Sequence, residues 1–152
     1  MVSPQGIRRI PFARLQAESS EGLKVGELIT EIDFPCRQSR GSTQVVSAFG
    51  KIGSRTAVSI ARLNMAAIVE YDGERIIQQA KWAVGALGRT PFRLPELEQA
   101  LAGKKMGADL AEAIACRLTD VVDKAIPGRA SQEYKREAVR GLAYDLFKQL
   151  EG

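Results

Sequence analysis

The stretch "IARLNMAAIVEYDGERIIQQAKWAVG", residues 60–85, decides the fold. Its first half alternates apolar and other residues, as a half-buried strand does. The apolar face of this half consists of Leu63, Met65, Ala67, Val69 and Tyr71. Asp72-Gly73 then separates it from a second run, and such a pair between two alternating runs is typical of a β-hairpin. The aligned apolar residues of the second run are Ile76, Ala80, Trp82 and Val84. We therefore predict strands over 60–71 and 75–85, although the alanines of the first run alone also suit a helix.

Two more strands are predicted upstream of this hairpin. "ELITEIDFP", residues 27–35, alternates and is ended by Pro35. Its one face would carry Leu28, Thr30, Ile32 and Phe34. "QVVSAF", residues 44–49, is the second strand, and Gly50 and Gly53 mark its exit into a loop.

Downstream, the apolar spacing changes from two residues to 3.6, which indicates helices. "RLPELEQALAGKK" has Pro95 in a first turn and Gly103 at the end, the places that these residues prefer. "ADLAEAIACRLTDVVDKAIPG" is stopped by Pro127-Gly128, and "SQEYKREAVRGLAYDLFKQLEG" begins at a predicted N-cap, Ser131. The two long helices have apolar stripes, which are Leu110, Ile114, Leu118, Val121 and Ala125, then Tyr134, Ala138, Leu142, Leu146 and Leu150.

Strands followed by helices predict an α+β fold, in which an antiparallel sheet of three to four strands carries a three-helix bundle on one face. Residues 1–24 are polar and irregular, so we expect an N-terminal arm over 1–24 and one domain over 25–152.

Composition excludes several kinds of chemistry. The 152 residues contain no histidine, so imidazole catalysis and His-ligated metals are excluded. Cys36 and Cys116 are too few for an iron–sulfur cluster or a zinc ribbon, and they favour reduced thiols in the cytoplasm. A net charge of +4 is too mild to argue for nucleic acid. The longest apolar run, "MAAIV", is too short to cross a membrane.

The glycine-punctuated loop "GKIGSRTAVSI", residues 50–60, is the main candidate site. It is not a phosphate-binding P-loop, because Val45 and Ile52 stand where that motif needs Gly and Ser or Thr. A corner with two solvated cations, Lys51 and Arg55, and a contact to an anionic group or cofactor edge are both compatible with it.

Two smaller features have the same ambiguity. Ile29 aligns with Glu31 and Asp33 rather than with the apolar face of its strand, so it is either a scattered exposed residue or a contact to something outside the chain. On the second helix, acidic residues stand beside basic ones and predict a charge-paired, solvated face. These residues are Glu112, Asp120 and Asp123, with Arg117 and Lys124.

Four pieces in order carry a family resemblance. They are "GELITEIDFP" (26–35), "FGKIGSRTAVSIARLNMAAIVEYDGERI" (49–76), "AVGALGRTPFRLPELEQALAGK" (83–104) and "SQEYKREAVRGLAYDLF" (131–147). Over residues 25–150 the chain resembles the C-terminal domain of the FAD-binding subunit of molybdenum hydroxylases, the family of xanthine dehydrogenase and carbon monoxide dehydrogenase flavoproteins.

The resemblance implies a role beside a flavin. Lys51 takes the place of a family lysine near the cofactor, Arg55 that of the loop arginine, and Ile29 that of an aliphatic residue that packs against FAD. Two departures stand out, because Ser59 replaces a frequent Asp and Lys135 replaces the more usual Arg after Tyr134.

The resemblance also implies partners. The family binds the FAD pyrophosphate in an N-terminal domain to which nothing here corresponds, so we expect the second half of a split, truncated or excised flavoprotein subunit. That domain, a molybdopterin subunit and a [2Fe-2S] iron–sulfur subunit would be its partners, in an oxidoreductase that passes electrons to FAD. The chain alone should bind no FAD and have no activity.

Two alternatives remain from the residues alone. The chain could be a binding module that holds an anion such as nucleic acid with Arg8, Arg9 and Arg14 and the loop cations. It could also be a structural domain that forms homo-oligomers.

Overall fold

The computed structural model describes residues 1–16, 22–39, 41–55 and 58–152. The chain forms two compact units, Met1–Arg37 and Gln38–Gly152, and each is described by itself. The predicted division after residue 24 falls inside the first unit, and it stays a prediction about domains.

The residues of the first unit that the structure describes, 1–16 and 22–37, contain little regular structure. A short hairpin pairs β1 (Val2–Ser3) with β2 (Gly6–Ile7), and helix α1 covers Phe12–Gln16. The strand predicted over 27–35 is wrong, because only Leu28 makes a bridge, to Val2. Leu28, Ile32 and Phe34, the apolar residues of its predicted face, are 68, 67 and 80% exposed. Alternation says which side chains would share a face, but a strand also needs a hydrogen-bonded neighbour, which the rest of this segment lacks among the described residues.

The second unit is built on a four-stranded antiparallel sheet. Its strands are β3 (Gln44–Gly53), β4 (Ala61–Tyr71), β5 (Ile77–Gly85) and β6 (Phe92–Arg93), in the spatial order β3-β4-β5-β6. The hairpin around residue 72 is therefore confirmed, and β6 is the fourth strand in place of 27–35.

The turn of this hairpin is wider than an Asp-Gly pair alone. The Asp72 carboxylate accepts the backbone N–H groups of Glu74 and Ile76, and Arg75 adopts a positive φ of 64°. A register shift beside Tyr71 follows, so Ile77 rather than the predicted Ile76 faces the core.

Three helices cover one face of the sheet, as predicted. They are α2 (Pro95–Leu101), α3 (Ala108–Ala125) and α4 (Gln132–Glu151). Helix α4 packs on β3 and β4, α2 packs on β5, and α3 packs on α4. The core between the layers includes Leu63, Trp82, Ile114, Leu118 and Leu146.

The role predicted for Gly50, an exit from the strand, is wrong. Strand β3 continues through Gly50 to Gly53. A Cβ at Gly50 would lie 2.5 Å from Leu142 Cδ1 and 2.8 Å from Leu146 Cδ1, so glycine here lets α4 approach the sheet. In the part of the chain that the structure describes, no helix is both long enough and apolar enough to cross a membrane.

Candidate functional site

The candidate site lies on β3, an edge strand of the sheet. Ala48, Gly50 and Ile52 face the helices, so Phe49 and Lys51 project from the opposite face. Lys51 is exposed and Phe49 is 59% exposed. The strand thus displays an aromatic ring and an ammonium group two residues apart on the uncovered face.

Hydrogen bonds fold the loop after β3 onto itself. Lys51 Nζ donates to the carbonyl of Ser59 at 3.2 Å. Arg55 donates from Nε and Nη2 to the carbonyl of Val58, at 3.1 and 2.6 Å. Both predicted site cations therefore bind backbone carbonyl groups of the loop that follows β3.

Ser59 completes this arrangement. Its hydroxyl donates to the carbonyl of Arg55 at 3.1 Å. An ionised aspartate, the residue that the family resemblance leads one to expect at this position, accepts hydrogen bonds only and could not make this contact. The departure at Ser59 thus has a structural consequence, since it lets the loop close without a negative charge.

The loop exposes apolar side chains, and the charged residues near them in sequence are all basic. Val58 and Ile60 are 88 and 92% exposed. Val58 also has a positive φ of 46°, an outlier for a β-branched residue. The sequence from 44 to 63 contains Lys51, Arg55 and Arg62 but neither Asp nor Glu. Phe49, Val58 and Ile60 are not among the site residues predicted from the sequence, and the sequence signal for Val58 and Ile60 is that they are branched apolar residues in a polar loop.

Ile29 lies in the first unit, so the structure describes it apart from Lys51 and Arg55. It is 39% exposed and lines a small cavity of about 160 Å³ together with Phe12, Glu31 and Asp33. Ile32, which was predicted on the opposite face, lines the same cavity, so the cavity does not separate the two predicted faces. Its predicted cofactor contact stays a prediction.

The basic arm of the first unit is engaged with its own acids. Arg8 Nε lies 2.5 Å from Glu27 Oε1, and Arg8 Nη2 lies 2.6 Å from Oε2. These hydrogen bonds, together with one from the backbone N–H of Lys24, lower the pKa of Glu27 from 4.5 to about 2. Arg9 lies 3.9 Å from both Glu31 and Asp33. These contacts do not favour an arm that uses Arg8 and Arg9 to hold nucleic acid.

Two acidic residues of α3, Glu112 and Asp123, pair with residues of α4. Glu112 accepts hydrogen bonds from Tyr144 and Arg140. Hydrogen bonds from Tyr144 and Cys116, with the charge of Arg140, lower the pKa of Glu112. Gln132 and Arg136 donate to Asp123 and lower its pKa in the same way. These contacts hold the helix pair together.

Comparison with models of known protein families identifies the family of this chain. The model of the CO dehydrogenase flavoprotein C-terminal domain matches residues 48–150. No group of three or more His, Cys, Asp or Glu residues that could hold a metal ion occurs among the described residues.

Two curated relatives have informative names. The glyceraldehyde dehydrogenase medium chain of Sulfolobus acidocaldarius is 30% identical over 125 residues, which are 82% of this chain and 42% of that protein. The nicotinate dehydrogenase FAD-subunit of Eubacterium barkeri is 29% identical over an alignment of 134 positions, which covers 86% of this chain and 44% of that protein. The chain thus spans less than half the length of these relatives.

Solved structures agree on the fold. Carbon monoxide dehydrogenase from Hydrogenophaga pseudoflava matches with a TM-score of 0.59 and 16% identity, over 70% of this chain and 37% of that one. Quinoline 2-oxidoreductase from Pseudomonas putida 86 matches with a TM-score of 0.60 and 17% identity, over 71% and 38%. At this identity the likeness establishes the architecture only.

Proposed function

The chain belongs to the CO dehydrogenase flavoprotein C-terminal domain family, and from this we propose that it forms one wall of the flavin site in the FAD-binding subunit of a molybdenum hydroxylase. The remainder of that site is supplied by an N-terminal FAD-binding domain. Subunits or domains with Mo-pterin and [2Fe-2S] centres deliver the electrons.

The observation that carries this proposal is the edge formed by β3 and its loop. Phe49, Val58 and Ile60 are exposed apolar side chains, and Lys51 lies among them without an acid nearby in sequence. A flavin ring is flat and apolar on its faces and gains negative charge when it is reduced. An apolar surface with a cation at its rim fits one side of such a ring.

The same residues do not fit the rest of FAD. A pyrophosphate is usually held by a glycine-rich turn at a helix N-terminus, and Gly50 and Gly53 lie within a strand instead. The binding energy for the dinucleotide therefore comes from the N-terminal domain. This division of labour supports the expectation that the chain alone retains no FAD.

FAD supplies the electron-accepting chemistry when it is bound, and the protein contributes orientation and electrostatics. Lys51 places a positive charge that favours negative charge on the ring. The bond from Lys51 to the Ser59 carbonyl keeps that charge in place. Arg55 donates two hydrogen bonds to the Val58 carbonyl and so fixes the backbone that carries Val58 and Ile60. Ile29, in the first unit, is proposed as a further cofactor contact on the family resemblance alone.

The experiment is to purify the chain alone and with a family FAD-binding domain co-expressed in trans. We expect no flavin absorption from the chain alone. With the domain, we expect co-purification, near-stoichiometric FAD and slower amide exchange in residues 50–55 and 58–60. Stoichiometric FAD on the chain alone, or unaltered exchange in a flavin-loaded complex, would contradict the proposal.

A further inference from the structure

A groove next to β6, at the opposite edge of the sheet from β3, is separate from the surface of Phe49, Lys51, Val58 and Ile60. It lies between α3 and the segment that joins β6 to α2, and β6 is the strand furthest from β3 in the sheet order. Its volume is about 750 Å³. Small-molecule sites are commonly about 300–1,000 Å³, so the groove is large enough for one.

The floor of the groove is apolar. Leu94 and Leu97 are buried members of the core, and Phe92 and Val121 pack against that core while they line the groove. An occupant with an aromatic or branched body could cover this floor.

The rim carries charges of alternating sign along α3. Arg117, Asp120 and Lys124 are spaced by three and four residues, so they lie on one face of the helix and line the groove. Within the described parts of the chain, the side chains of Arg117 and Lys124 make neither a hydrogen bond nor an ion pair. They are thus available to a ligand, unlike Arg93 on the opposite wall, which binds Glu98.

We propose that this groove binds a small zwitterion with an apolar body, of the class of aromatic α-amino acids. The carboxylate lies against Arg117 or Lys124, the ammonium group lies against Asp120, and the ring covers Phe92 and Val121. A single-sign ligand fits less well, because Glu96 and Asp120 would oppose an anion and the two cations of α3 would oppose a cation. The proposal does not depend on a role in flavin chemistry.

Three probes with one indole ring separate the charge requirements. They are L-tryptophan, tryptamine and indole-3-propionate, each titrated into the full chain while backbone amide resonances are followed by NMR. We expect tryptophan to shift amides in 92–97 and 117–125 and to bind about ten-fold tighter than either single-charge probe. Equal affinity for all three probes, shifts elsewhere or no shifts at all would overturn the proposal.

Two variants complete the test. Asp120→Asn should weaken tryptophan binding about ten-fold, because the ammonium group loses a charged partner. Asp145→Asn, an exposed acid on α4 outside the groove, should leave the affinity unchanged. If both variants bind tryptophan like the parent chain, the assigned head-group contact is wrong.

Discussion

Glu98 of α2 accepts the backbone N–H of Trp82 in β5 at 2.9 Å. Strand β6 has only two residues, which pair with Ala83 and Val84. At the next residue, Trp82, the Glu98 carboxylate accepts the backbone N–H in place of a strand carbonyl. Arg93 of β6 donates to the same carboxylate. One side chain therefore joins a helix, a central strand and the end of the sheet.

Removal of the Glu98 carboxylate should destabilise this corner. Glu98→Ala leaves the N–H of Trp82 without its acceptor, which costs about 1–3 kcal/mol. Glu98→Gln keeps an acceptor and should lose less. Denaturant unfolding measures both values, and equal stability of Glu98→Ala and the parent chain would show that the bond contributes nothing.

The same carboxyl group makes stability depend on pH. Burial raises the pKa of Glu98, but hydrogen bonds from Arg93 and Trp82 outweigh it and place the pKa below the usual 4.5. A lowered folded-state pKa adds stability above pH 4.5 that is lost as the pH falls through the folded-state value. The loss of stability between pH 5 and pH 3 should thus be smaller in Glu98→Gln, in unfolding curves measured at each pH. An identical pH profile for the variant would contradict this assignment.

Trp82 and Phe49 test the two faces of the sheet. Trp82 is 1% exposed, and its ring centroid lies 5.8 Å from that of Phe147 on α4. Trp82→Ala should therefore cost about 3–5 kcal/mol of unfolding free energy. Phe49→Ala, on the uncovered face, should cost less than about 1 kcal/mol. Similar losses for the two variants would mean that the assignment of the faces is wrong.

Gly50 tests the approach of α4 to β3. Gly50→Ala forces a methyl group against Leu142 and Leu146, and such overpacking costs about 1–3 kcal/mol. Gly141→Ala is the matched control, because its position on α4 has open space and alanine favours a helix by about 1 kcal/mol. The two substitutions should change the melting temperature in opposite directions. A neutral Gly50→Ala would show that the approach of α4 to β3 does not require glycine at this position.

Local patterns were enough to predict most of the second unit. Alternation around Leu63 and Met65 gave a buried strand face, and Pro95 and Gly103 bounded a helix, with Gly103 at a positive φ of 74°. These features depend on neighbours in sequence, so they can be predicted from single stretches of the chain.

Features that depend on distant partners could not be predicted. Leu28 and Phe34 alternate well, yet within the described residues their segment has no ladder beyond the bridge to Val2. The need for glycine at position 50 comes from α4, and the role of Glu98 comes from the shortness of β6. At the candidate site, Lys51 and Arg55 were predicted as cations of a loop, but their bonds to the Ser59 and Val58 carbonyls need the folded loop.

The flavin midpoint potential of the complex with an FAD-binding domain tests the central claim most directly. One nearby charge is worth roughly 1–4 kcal/mol, and 30 mV corresponds to about 1.4 kcal/mol for a two-electron couple. Lys51→Gln should therefore lower the potential by on the order of tens of millivolts, since the reduced ring loses a stabilising cation. Lys148→Gln, which removes an exposed charge on α4, should leave the potential unchanged. A Lys51→Gln complex with the parent potential would contradict the account and leave the β3 loop as a solvated corner of the sheet.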